Sequence, residues 1–119
     1  MLTLPSVVKI HLATQATDMR KGFDGLAGLV QGSLQQDPLS GHLFVFYGRS
    51  RDRLKILFFD RGGLVVYAKR LEKGRFPIPK FQEGQSALEI SATDLAMLLE
   101  AIAFGDIKRP ELWKPLRSA

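Results

Sequence analysis

Apolar positions along this chain follow two rhythms, one of period two and one near three and a half, and the period-two segments gather in the middle. Residues 43–47, 54–59 and 64–69 are short runs of aromatic and branched side chains. The stretches between them, 48–53 and 60–63, are polar and contain glycine, which predicts the strands of a meander. Residues 7–12 alternate around Lys9 and His11 and predict a first strand, with His11 as an outward or edge residue. Residues 87–90 predict one more short strand.

Two segments carry the helical period. Thr17 and Asp18 are expected to open a helix reaching about Gln35, with Thr17 as its cap. Met19, Phe23, Leu26, Ala27, Val30 and Leu34 then form one apolar stripe. Lys21, Gly25, Gly28, Gly32 and Gln35 share the opposite face, which is almost bare of side chains. Each interior glycine weakens a helix by about 0.5–1 kcal/mol relative to alanine, so the face reads either as a weak helix or as a docking surface for another backbone. A second helix begins at Ser91, where Asp94 three residues on completes a capping box, and its apolar spacing through Leu95, Leu98, Leu99 and Ile102 runs toward a stop at Gly105. Pro110 and Pro115 break the tail, about 106–119, in which Trp113 is available for packing or for a partner. The expected fold is α+β: one domain over residues 1–119, with an antiparallel sheet of four or five strands around the central meander and two helices packed on it.

Composition narrows the chemistry. With no cysteine and two distant histidines among 119 residues, disulfides, thiolate metal sites and most zinc sites are excluded. No apolar run approaches the roughly 18 residues of a membrane span, and the amino end lacks a signal-peptide pattern, so the expectation is a cytoplasmic protein without membrane association. There is neither a Walker pattern nor a glycine fingerprint between strand and helix. Asp18, Asp24, Asp52, Asp60 and Glu89 are the carboxylates a metal-dependent nuclease would draw on, but Asp52 and Asp60 stand at turns among arginines, where ion pairing is the plainer role. The expectation is no catalytic set, no metal and no cofactor.

Charge points to a partner class. Residues 49–80 hold ten Lys/Arg against three acids, a local charge of +7, while the remainder holds seven bases against nine acids, −2. A field concentrated this way suits a polyanion. If residues 49–55 are extended, Arg49, Arg51, Arg53 and Lys55 point to one side as a positive row. Lys69, Arg70, Lys73 and Arg75 extend the basic character, and Tyr47, Tyr67 and Phe76 offer rings for stacking wherever they face outward. These eight cations are the candidate nucleic-acid-binding residues. Lys21, Gly25, Gly28, Gly32 and Trp113 are the candidate partner-binding set.

Taken together, residues 17–26 (Thr-Asp-Met-Arg-Lys-Gly-Phe-Asp-Gly-Leu), 37–46, 52–57, 69–76 and 88–91 resemble the small TnpB-type accessory protein, encoded by the second open reading frame, of the insertion-sequence-66 group of bacterial transposons. The likeness departs at Phe58-Phe59, where a tyrosine–tryptophan pair is common, and at residues 103–106, where a tryptophan-containing segment usually runs. It implies a non-catalytic factor made alongside a larger transposase that carries the DNA-cutting acids. DNA and that transposase are the expected partners.

Overall fold

The computed structural model describes residues 7–102. Strands β1 (Ile10–Ala13), β2 (Leu43–Tyr47), β3 (Arg53–Asp60), β4 (Gly63–Arg70) and β5 (Ala87–Ile90) form one sheet in the order β4-β3-β2-β1-β5. Helix α1 (Phe23–Gly32) lies between β1 and β2 in sequence, and α2 (Ala92–Leu99) follows β5. The class is α+β, and the sheet is mostly antiparallel. The pair β1–β2 is parallel, with Ile10 opposite Leu43 and Leu12 opposite Val45. A helix between two strands returns the chain to the end it started from, which a tight turn cannot do.

The centre of the sheet is buried on both faces. Leu12, Val45, Leu54 and Ile56 pack on one side with Phe76, Leu95 and Leu98, so α2 and the segment after β4 cover it. Phe44, Phe46 and Leu57 pack on the other side with Leu26, Val30 and Leu34 of α1. All five residues of β2 are buried, because the strand lies between two apolar layers. His11 was expected at an outward position. It is instead 8% exposed on an interior strand, its ring stacked on Phe44 at 5.5 Å and edge-on to His42 at 5.9 Å.

Both helices depart from the expected bounds. Thr17 does not cap α1: its amide donates to Tyr47 O (2.8 Å) at the end of β2. Asp18 accepts from the Arg20 amide (2.9 Å) and pairs with the Arg20 guanidinium (2.8 Å), closing a local turn before the helix. The helix starts after Gly22 with no side-chain cap, so Phe23 precedes the buried stripe and is 53% exposed. At α2 the capping box forms as expected, with Asp94 N donating to Ser91 Oγ (3.0 Å) and Ser91 N to Asp94 Oδ2 (3.2 Å). The helix ends well before Gly105. Ala101 takes φ +60°, and the Ala101 and Ile102 amides bond back to Leu98 O (2.9 Å) and Met97 O (2.8 Å), a Schellman closure with alanine in glycine's usual place. Gly105, Trp113 and the tail lie outside the described residues.

Candidate nucleic-acid interface

The two basic stretches, far apart in sequence, meet at one end of the sheet. Between β2 and β3 the chain turns tightly, the Arg51 amide donating to Gly48 O (2.9 Å) and the Gly48 amide to Arg53 O (3.0 Å). After β4 the chain stays alongside this turn: Leu71 N donates to Asp52 O (2.8 Å) and Phe76 N to Arg51 O (2.6 Å). Phe76, 1% exposed, anchors the return in the core. Exposed Arg75, next to Phe76, is thereby brought to exposed Arg51, and exposed Lys73 belongs to the same return.

Register completes the cluster. Arg53 and Arg70 are direct cross-strand partners and both are exposed. Like charges in that relation repel. Glu72 moderates Arg70 through an ion pair at 3.1 Å, while no ion pair to Arg53 forms among the described residues. Asp52 lies within the turn and accepts a hydrogen bond from Ser50 Oγ (2.5 Å), which holds its carboxyl below the usual range. An open cleft of about 750 Å³ beside the turn is lined by Thr17, Asp18, Arg49, Ser50, Asp52 and Arg53. Asp18 is held well below the usual carboxylate range, first by its side-chain hydrogen bond to Arg20 and then by the Arg20 amide.

The expected row of four cations does not form as drawn. Arg49 and Arg51 belong to a turn, and Arg51 has φ +66°, so the alternation of an extended chain applies only from Arg53 onward. The Arg51 guanidinium sits 6.0 Å from the centroid of the buried Tyr47 ring. Lys55 turns inward, its Nζ donating to Lys21 O (2.8 Å) at the approach to α1. Lys69 lies on the opposite face of the sheet and donates to Leu99 O (2.7 Å), satisfying a carbonyl in the last turn of α2. Lys69 thus ties α2 to the sheet, and Lys55 ties the segment that leads into α1. Of the three candidate stacking rings, Tyr47 and Phe76 are buried; the Tyr47 hydroxyl donates to Thr14 O (2.6 Å), and burial raises its pKa. Tyr67 alone of the three is substantially exposed, at 42%.

The glycine face divides. A methyl at Gly25 would come within 3.0 Å of Lys21 Cβ, so this position is crowded rather than open to solvent as the helical phasing implied. Gly28 and Gly32 would each meet nothing within 4 Å. Sequence reasoning missed Gly48. It is buried beneath the turn, and a methyl there would stand 2.7 Å from Met19 Cγ. The signal available was a glycine directly after a strand of large side chains. Among the described residues, no group of three or more His, Asp or Glu is placed to hold a metal ion, and no helix is long and apolar enough to cross a membrane.

Two proteins of Sinorhizobium fredii (strain NBRC 101917 / NGR234) are similar along almost their whole length. "Uncharacterized protein y4hO" is 43% identical over 111 residues, covering 92% of each chain. "Uncharacterized protein y4jC" is 34% identical over 112 residues, covering 94% of each. No solved structure matches. The family model for the IS66 Orf2-like protein matches residues 8–109, a span that contains β1 through α2 and the whole basic surface, and the chain belongs to that family.

Proposed function

We propose that this protein is an accessory factor of insertion-sequence transposition that holds DNA by its phosphates, with strand cleavage carried out by a separate transposase. Family membership supports the transposition role. The observation that carries the DNA reading is the docking of residues 71–76 against the 48–53 turn, which concentrates arginines from two stretches at one end of the sheet. Guanidinium groups suit phosphate oxygens, and a turn already pinned by backbone hydrogen bonds has little backbone freedom left to lose on binding. No helix-turn-helix accompanies them among the described residues, and the clustered arginines suit phosphates, so the proposed contact is with the backbone.

Fluorescence anisotropy with element-end and scrambled duplexes across a salt series tests this reading. The double variant Arg51→Glu with Arg53→Glu weakens binding to both duplexes and flattens the log–log salt dependence by roughly two, about 0.9 for each phosphate that is no longer neutralised. Unchanged affinity and slope in a folded double variant would overturn it. A protein-adaptor role is the second reading. It is favoured by the open space at Gly28 and Gly32, where a transposase segment could approach the α1 backbone. Loss of co-purification with the transposase in Gly28→Leu, with DNA binding intact, would select it.

A further inference from the structure

The free edge of β4 differs from the edges that natural sheets usually present. Its residues from Gly63 to Ala68 include no charge and no proline, and the strand is eight residues long. The other edge, β5, has four residues and carries Glu89, so it is blunted by shortness and charge. Among the described residues nothing pairs with the outer side of β4.

The backbone groups that point outward can be identified. The bond from Gly48 N to Arg53 O turns the odd-numbered residues of β3 toward β2, and the bond from Leu71 N to Asp52 O turns the even-numbered ones toward β4. Arg61 and Gly62, with φ +49° and +85°, make the two-residue type I′ turn that closes on the Asp60–Gly63 pair. Gly63, Val65, Tyr67 and Lys69 therefore bond to β3, and the amides and carbonyls of Leu64, Val66 and Ala68 face outward.

We propose that this edge is a self-association surface, on which β4 of a second copy pairs antiparallel about a two-fold axis at Val66 and continues the sheet across both chains. The edge is complementary to itself in that register. Leu64, Val66 and Ala68 meet Ala68, Val66 and Leu64 of the second copy, so every outward donor faces an outward acceptor and the side chains on that face are apolar. On the other face the half-exposed Tyr67 ring lies against Val65 of the second copy. Charge agrees with this register. The two Lys69–Arg70 ends are carried to opposite extremes of the pairing. Lys69 falls opposite Gly63 of the second copy, which has no side chain, and the next residue along that row on the same face is the exposed Asp60. Moving the axis to Ala68 would bring the two basic ends together. Self-association at this edge does not depend on DNA binding.

Sedimentation velocity of the full chain, from low micromolar to submillimolar concentration, tests it, with a concentration-dependent dimer expected. Ala68→Pro removes an outward N–H and no bond to β3, so the folded monomer keeps its circular dichroism spectrum. Each dimer then loses two hydrogen bonds, and its Kd rises roughly 10- to 100-fold. Ala68→Lys, at an exposed position, is the second variant and weakens the dimer without touching the core. Register is read by oxidation. The chain has no cysteine, so Val66→Cys gives a single thiol that meets its own copy and forms a covalent dimer. Ala68→Cys, whose counterpart is Leu64, does not. A full chain that stays monomeric at every concentration overturns the proposal, including the case in which its own terminal residues or another protein take this edge. So does a dimer indifferent to both Ala68 variants, or one that cross-links equally well through either cysteine.

Discussion

His11 combines two properties that a single substitution removes together. Its Nε2 is buried without a hydrogen-bond partner among the described residues, and its ring stacks on Phe44. Burial disfavours the imidazolium and lowers the pKa; Glu89 opposes that shift, while His42 and Lys9 add to it. His11→Leu removes the orphaned nitrogen and the titration together at similar volume. Relief of a desolvated polar atom is worth about 1–3 kcal/mol, and the ring pair given up about 0.5–1.5 kcal/mol, so at about pH 7.5 the two chains differ by less than about 2.5 kcal/mol. The pH dependence is the sharper quantity. Below its ordinary pKa of 6.5 the unfolded chain takes up a proton that the folded His11 resists. The contribution of neutral His11 is therefore complete above that value and declines as pH falls through the lower folded value. At about 1.4 kcal/mol per pH unit, the decline by pH 5 is at most about 2 kcal/mol. Urea melts of both chains at about pH 7.5 and 5 read this directly, and titrating groups remote from His11 cancel in the comparison. The leucine variant should gain on the parent as pH falls. Equal stability changes in the two chains would refute the burial argument.

The remaining predictions concern glycines. Gly48→Ala should lower stability by about 1–3 kcal/mol in urea melts, because a methyl 2.7 Å from Met19 Cγ forces the residue under the basic turn to move. An unchanged midpoint would mean that Met19 swings aside freely. Gly28→Ala should raise stability by about 0.5–1 kcal/mol, since its methyl meets open space on a helical backbone. Gly25→Ala should gain less or lose, with Lys21 Cβ 3.0 Å away, and equal gains at both sites would show that Lys21 moves without resistance.

The parts of this fold that could be read from sequence are those where local chemistry and tertiary context agree. The central strands are aromatic and branched runs between glycine-containing turns, and Ser91–Asp94 is a cap complete within four residues. Reading failed where context decides. His11 alternates with Ile10 and Leu12 as an outward residue would, but a sheet covered on both faces makes both sides of β1 interior. Thr17 and Asp18 look like a helix start, but Tyr47 O and Arg20 take their bonding groups, leaving α1 to begin at Phe23. The basic surface was visible as a local excess of arginine and lysine. Its membership was not, because whether a lysine faces solvent or a backbone carbonyl, as Lys55 and Lys69 do, depends on elements far away in sequence.

The strand order also bears on how the chain reaches this structure. β3 and β4 are joined by two residues and β2 precedes them closely, so the 43–70 meander can form from local contacts. β1 and β5 come from opposite ends of the described chain, and Ile10 meets Ile90 across the whole of the structure between them. Closing that pair spans the longest loop among the described strands, so it is expected to come last. On that order the β1–β5 side is expected to exchange its amides first in native-state hydrogen exchange, and the end bearing the arginines to belong to the earliest structure.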